Sequence, residues 1–152
     1  MSIFNAFNAS ASALTAQRLR MDVVSANIAN ADTTRARINE NGEYEPYRRK
    51  MVVMTPNQKN TFKNVLNRTM YEGSSKATGV RVARIVDDET PFKLEYNPTH
   101  PDANDMGYVQ LPNVDPLKEM VDLMSATRSY EANVTALNAT KSMLLKALEI
   151  GK

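Results

Sequence analysis

The chain has one histidine and no cysteine, so few of its residues are able to do acid/base or metal chemistry. His100 stands with Asp102 and Asp105 in Asn97-Pro98-Thr99-His100-Pro101-Asp102-Ala103-Asn104-Asp105, the one grouping of an imidazole with carboxylates in the sequence. A metal site or an acid/base pair needs such groups to converge on one point, and this spacing does not by itself bring them together. A turn-stabilising imidazole beside two rigid prolines accounts for the same residues. The acidic trio Asp87-Asp88-Glu89 lacks the spaced oxygen ligands, central Gly and terminal Glu of an EF-hand loop, and reads as a solvated turn. Arg48-Arg49-Lys50 carries three charges without interleaved aromatics or repeated patches, and reads as a solvated edge rather than a phosphate or acidic-lipid site. There is no Ser nucleophile motif, Gly-rich phosphate loop or paired-Cys spacing. The expectation is a protein that is not an enzyme and that uses no metal or cofactor.

What must position these residues is a chain of 152 amino acids, 42% hydrophobic and 24% charged, the composition of one modest folded domain. A formal charge of +2 is too small to single out a nucleic-acid partner. Without cysteine, pairing says nothing about the redox compartment. The opening MSIFNAFNASASALTAQRLR has no basic region ahead of an apolar core, and no run of eighteen apolar residues occurs. Export by a cleaved signal peptide is not expected.

The longest periodic stretch is at the C-terminal end. Asp115 is placed to cap a helix, Pro116 falls where a missing N–H costs nothing, and Gly151 closes the run. Alternating steps of three and four give Met120, Leu123, Thr127, Tyr130, Val134, Leu137, Lys141, Leu144 and Leu148, a heptad seam broken only by Thr127 and Lys141. A second heptad occupies Ile3 to about Asn30, with Phe7, Leu14, Met21 and Ile28 seven apart, reinforced by Ile3, Phe4, Ala11 and Val24. Its other faces are mostly Ala, Ser, Thr and Asn, with charge only at Arg18, Arg20 and Asp22. Small side chains of this kind let other backbones approach closely. The helix is expected to end near Ala29-Asn30-Ala31-Asp32, where Asn and Asp tolerate left-handed turns and bond locally.

Between the two heptads the pattern changes. Residues 35–50 read as a charged loop, and Tyr47–Met54 as a strand ended by Thr55-Pro56. Residues 56–79 read as a loop with one short helix near 60–68. Val80–Val86 and Pro91–Tyr96 each alternate with period two, and the acidic residues between them predict a hairpin. Residues 97–113, rich in Pro and Asx, read as an ordered loop.

Several of these segments resemble the bacterial flagellar basal-body rod proteins, and among them the members of the proximal rod. The resemblance runs end to end. It is carried by Ala26-Asn27-Ile28-Ala29-Asn30-Ala31-Asp32-Thr33-Thr34, by Pro46-Tyr47-Arg48-Arg49-Lys50, by Asn97-Pro98-Thr99-His100-Pro101-Asp102-Ala103, by Gly107-Tyr108-Val109 and Pro112-Asn113-Val114, and by Glu119-Met120-Val121-Asp122 with Arg128-Ser129-Tyr130-Glu131-Ala132-Asn133. The first and last motifs are shared by rod and hook-type axial proteins; the HPDA and GYV segments narrow the likeness. It implies export through the flagellar type III apparatus, location in the basal-body rod, and helical polymerisation into a shaft that transmits torque. The partners implied are copies of itself, other rod proteins and the export apparatus in transit, with no nucleic acid or small-molecule substrate.

The combined expectation is a mainly α fold with a small β-rich insert. Residues 1–34 and 113–152 supply long helices paired as an antiparallel coiled coil, and 35–112 a central region of short strands and loops. The candidate assembly interface is Phe4, Phe7, Leu14, Met21, Ile28, Met120, Leu123, Tyr130, Val134, Leu137, Leu144 and Leu148. A competing reading is a membrane-surface-binding protein that uses its N-terminal amphipathic helix.

Overall fold

The computed structural model describes residues 3–39, 42–57, 66 and 79–150. The short helix read near 60–68, and most of the loop around it, lie outside the described residues.

Helix α1 spans Ile3–Ala29, a run of 27 residues without Gly or Pro. It ends by local bonding: the Asn30 N–H and the Asn30 Nδ2 both donate to the Ala26 carbonyl, at 3.1 and 2.9 Å, and Thr33 Oγ1 donates to Asn30 Oδ1 at 3.3 Å. The left-handed turn offered by the sequence does not form here. Among the described residues, positive φ is confined to Gly42, Gly79 and Gly107.

Helix α2 spans Pro116–Ile150, 35 residues and about 52 Å at the α-helical rise. Asp115 caps it as expected, its Oδ1 accepting the Leu117 N–H at 3.2 Å and its carbonyl accepting the Glu119 N–H at 3.0 Å. Burial opposes the Asp115 charge, but the N–H groups of Lys118 and Leu117 outweigh it and hold the carboxyl below its ordinary range.

Among the described residues between the helices there are three two-stranded pairings. β1 (Arg37–Ile38) pairs antiparallel with β2 (Tyr44–Glu45), a ribbon too short to show a period within the segment read as a loop. β3 (Lys50–Pro56) pairs with β4 (Val80–Asp87). β5 (Lys93–Tyr96) pairs antiparallel with β6 (Tyr108–Leu111), with Tyr96 opposite Tyr108 and Glu95 opposite Val109. The hairpin predicted between Val80–Val86 and Pro91–Tyr96 is therefore wrong. The Asp88 N–H donates to the Arg49 carbonyl at 2.8 Å, and Asn113 Nδ2 donates to the Asp88 carbonyl at 3.1 Å and to Thr90 Oγ1 at 2.9 Å. Those partners hold residues 88–90, and β5 takes its neighbour from the segment read as an ordered loop. In that loop Gly107 is buried at φ 79°, and a Cβ there would stand 3.0 Å from the Tyr96 ring. Period alone located β4 and β5 but not their partners.

The chain divides into two compact units, Met1–Leu19 with Val53–Arg84 and Ala126–Lys152, and Arg20–Val52 with Ile85–Ser125. Among the described residues of the first unit the enclosed apolar positions are Ala16 and Ala126, and the small face of α1 receives backbone directly. Ser12 Oγ donates to the Ala9 carbonyl at 2.7 Å and accepts the Val80 N–H at 3.1 Å. The second unit encloses Val23, Val24, Val109 and Val114 around two polar residues, Asn27 and Glu119. Its contacts between α1 and α2 run antiparallel, Arg20 to Asp122 and Asn27 to Glu119. Of the predicted interface, Leu14, Met21, Ile28, Leu123, Tyr130, Val134, Leu137 and Leu144 are half-buried, whereas Phe4, Phe7, Met120 and Leu148 are exposed. The most enclosed positions on α2 are Glu119 and Ala126, one heptad apart and outside the predicted seam.

Gly79 sits at φ +100°, and a Cβ there would lie 2.2 Å from Ser12 Oγ. Gly79→Ala is expected to destabilise the protein by about 2 kcal/mol through backbone strain and the displaced serine. Ser12→Ala combined with it should recover part of the loss. Urea unfolding of the purified variants checks this, and a Gly79→Ala protein as stable as the parent contradicts the close approach.

Candidate functional site

Three of the motifs that carry the sequence resemblance meet in the second unit, where Tyr47, Lys50 and Glu119 all bond to Asn27. This side chain sits in the last turns of α1 and is wholly enclosed. Its Nδ2 donates to the Lys50 carbonyl at 2.9 Å and to Glu119 Oε2 at 2.8 Å. Its Oδ1 accepts the Lys50 N–H at 2.9 Å and the Tyr47 hydroxyl at 3.0 Å. Both donors and both acceptor sites of the amide are used, and it meets the start of β3 much as a neighbouring strand would. Burial, followed by the charges of Asp87 and Glu119, raises the Tyr47 pKa, which keeps the phenol in the form that donates.

Glu119, enclosed to 1% exposure, continues the network from the first turn of α2. Its Oε1 accepts from Arg49 Nε at 2.6 Å. Arg49 also reaches Asp88 at 3.4 Å and Asp122 at 3.9 Å, and Asp122 accepts from Arg20 at 3.0 Å. The Arg49 N–H donates to Asn113 Oδ1 at 2.8 Å. Burial opposes the Arg49 charge, but the bonds and charges of Glu119 and then Asp88 overcome it, so its pKa is raised. On Asp88 the largest influence is the Thr90 N–H, which with Arg49 holds the carboxyl below its ordinary range despite burial. The cluster Arg48-Arg49-Lys50 is thus not a solvated edge. Arg48 lies 4.4 Å from the centre of the Phe92 ring, Arg49 is the hub of three carboxylates, and Lys50 is 5.9 Å from the Tyr47 ring. Nor is the acidic trio simply a solvated turn, because Asp88 belongs to this junction.

His100 and Asp102 do come together, but as a brace. His100 Nδ1 accepts the Asp102 N–H at 3.1 Å, the turn-stabilising role expected of it. The Asp102 carboxylate accepts from Thr34 Oγ1 at 2.8 Å and from Arg35 Nε at 2.6 Å. The Arg35 bond, ahead of that from Thr34, holds the Asp102 carboxyl below its ordinary range. Asp105 is exposed and takes no part in the brace. Among the described residues, no three His, Asp or Glu side chains are grouped to hold a metal ion. The chemistry of both clusters is that of clamps: every charged group is committed to another part of the same chain.

Sequence reasoning missed Glu119 and Asn27 because each is polar and lies off the apolar heptad. The signal available was an Asn among small residues near the end of a helix, which periodicity does not weigh.

Two family profiles match the chain, one described as "Flagella basal body rod protein" over residues 7–37 and one as "Flagellar basal body rod FlgEFG protein C-terminal" over residues 106–150. The chain is 62% identical over 152 residues to the flagellar basal-body rod protein FlgC of Bacillus subtilis strain 168, covering 100% of both chains. It is 44% identical to the FlgC of Borreliella burgdorferi, over 99% of this chain and 98% of that one, and 40% identical to the FlgC of Salmonella typhimurium over the full length of both.

Asn27→Ala leaves the Lys50 N–H and carbonyl, the Tyr47 hydroxyl and a Glu119 oxygen short of a partner. Each unmet buried group costs about 1–3 kcal/mol, so a total loss of at least about 3 kcal/mol is expected in urea unfolding. A loss under about 1 kcal/mol would sink the junction as a stabilising feature. In acid, Asp88 and Asp102 act together in sign: with folded pKa values below the ordinary carboxylate value of about 3.9, their stabilisation is present above that pH and lost as pH falls through the folded values. Unfolding followed by circular dichroism between pH 5 and pH 2 should show a declining limb that Asp88→Asn and Asp102→Asn each flatten.

Proposed function

Since the chain belongs to the family of flagellar basal-body rod proteins, we infer that it is a structural subunit of the bacterial flagellar basal-body rod and not an enzyme. The premise is the end-to-end identity with relatives of that name, from 40% to 62%. Its partners are other rod components.

Beyond that, the proposal is that residues 1–34 and 113–152 form the axial core, 35–112 a central region, and that the two long helices carry assembly. One observation supports this most directly: both helices run on past their enclosed parts with large apolar side chains exposed. Residues 4–8 of α1 are exposed throughout, and so are Met143, Leu145 and Leu148 near the end of α2. In this reading Phe7, Leu14, Met21 and Ile28 face Leu123, Tyr130, Leu137 and Leu144 within or between subunits, with coiled-coil packing completed in the rod. A proximal position, passage through the flagellar type III apparatus and torque transmission complete the proposal. Torque transmission then needs only dense packing, because closely packed interiors deform little.

The membrane-surface alternative finds no carrier in α1. Among its described residues, charge is limited to Arg18, Arg20 and Asp22, with Arg20 bonded to Asp122, whereas interfacial helices carry a basic polar face. No described helix is long and apolar enough to cross a membrane.

Electron microscopy of purified basal bodies with this chain labelled is expected to find the label in the rod, and its absence from the rod would refute the assignment. Leu137→Asp sets a carboxylate on the half-buried face of α2. The variant should be missing from basal bodies and its cells non-motile, whereas Leu137→Met should assemble. Normal swimming with Leu137→Asp would overturn the role of that face.

A further inference from the structure

The first turns of α2 carry a second apolar stripe that the heptad seam does not include. Leu117, Val121 and Met124 recur at four and three residues, so they share one face, and all three are more than half exposed. Beside them lies an open groove of about 460 Å³ lined by Arg49, Leu117, Lys118, Val121 and Asp122. The charges at its rim already have partners: Lys118 lies 3.5 Å from Asp115, Asp122 accepts from Arg20, and Arg49 bonds Glu119. Such a socket places no demand for an ionic group on its occupant. It suits an apolar, uncharged helix end.

The chain itself has an end of that kind. Residues 3–17 of α1 contain no Asp, Glu, Lys or Arg, and Phe4 and Phe7 stand three apart on one face, both exposed. Other exposed aromatics among the described residues are already engaged. Arg35 lies 5.3 Å from the Tyr44 ring, and Tyr96 and Tyr108 pack edge to face on each other at 5.3 Å. A phenyl ring has no hydroxyl to satisfy, and Met124 on the face beside the groove adapts to ring edges.

We propose that the Leu117–Val121–Met124 face of α2, with the groove beside Arg49, receives the Phe4–Phe7 end of α1 from a second copy of this chain. The proposal rests on the reading of the chain as a rod subunit and names one contact by which copies join. Both surfaces are exposed, each in its own unit, and the test below separates a contact between copies from one within a chain. Because the two faces differ, a copy that uses one of them keeps the other for the next copy, and a contact used in this way propagates head-to-tail. Two phenylalanines and three aliphatic side chains cover well below the roughly 1,200 Å² of a stable independent interface. The contact therefore holds only where several act together, and the test belongs in the assembled rod.

The natural chain has no cysteine, which makes disulfide trapping clean. Phe7→Cys combined with Val121→Cys, expressed as the full chain in place of the parent, is oxidised in purified basal bodies and run without reductant. The expected result is a ladder of dimers, trimers and larger species of this chain, at least tenfold above either single variant. Should that pair fail to incorporate, Phe4→Cys with Met124→Cys tests the same contact. Rods that contain a double variant yet show no ladder overturn the docking and leave the rod assignment standing. A link to a different protein, or a disulfide within one chain, also overturns it. Absence of the unsubstituted chain from basal bodies removes the rod assignment and this contact together.

Discussion

The second unit depends on one side-chain amide having all of its hydrogen-bonding capacity met. Asn27 takes the Lys50 N–H and carbonyl, the Tyr47 hydroxyl and a Glu119 oxygen at 2.8–3.0 Å, and in doing so ties the end of α1 to the start of β3 and the first turn of α2. A satisfied hydrogen bond adds only about 1 kcal/mol net, whereas an unmet buried group costs about 1–3 kcal/mol. The junction therefore acts mostly by penalising alternatives: any shift of the three elements that breaks one bond strands groups already removed from water. Apolar contacts around it, from Val23, Val24, Val109 and Val114, supply burial but little direction. Arg49 extends the constraint by holding Glu119, Asp88 and Asp122 together, and its neighbour Asn113 fixes the backbone at 88–90.

The first unit relies on a different device. Where α1 meets the start of β4, side chains are nearly absent: Ser12, Ala9 and Gly79 let the two backbones come within the reach of one hydroxyl. Among its described residues the enclosed apolar positions are alanines, Ala16 and Ala126. Small residues gain little from burial individually, so closeness of approach and the Ser12 bond to Val80 define the contact. Geometry is fixed by steric exclusion in one unit and by polar satisfaction in the other.

Those two devices explain what could be read from sequence and what could not. Both long helices, the Asp115 cap, the end of α1 at Asn30 and the cores of β3, β4 and β5 follow from period and local side-chain bonding, which act over a few residues. Strand pairing does not: β4 was assigned to β5, but Arg49 and Asn113 hold the intervening backbone, and β6 lies within a segment whose prolines and Asx residues read as a loop. The polar junction was invisible to hydrophobic patterning because its members are an Asn, a Glu and an Arg drawn from positions 27, 119 and 49. Its residues did stand in the motifs that carry the family resemblance, so the resemblance marked the place without giving the reason. The reason is internal bonding rather than chemistry on a substrate.

A rod subunit must hold a defined shape and still leave surface for its neighbours, and the distribution of burial along α2 divides these tasks. Its first three turns supply Glu119 to the junction on one face while presenting Leu117, Val121 and Met124 on another. Farther along, between residues 138 and 149, only Thr140 and Leu144 are even half-buried. A helix end with so little enclosed apolar area opens at low free energy when alone. Ordering backbone costs about 1–2 kcal/mol per residue, and burying a large aliphatic side chain returns about 1.5–3 kcal/mol, so a terminal segment becomes rigid when most of its apolar side chains are covered. Exposed as these side chains are in the single chain, the proposed assembly supplies that cover from other subunits. On that proposal stiffness of the terminal segments is a property of the assembly, whereas the second unit already has the Asn27 junction to hold its arrangement.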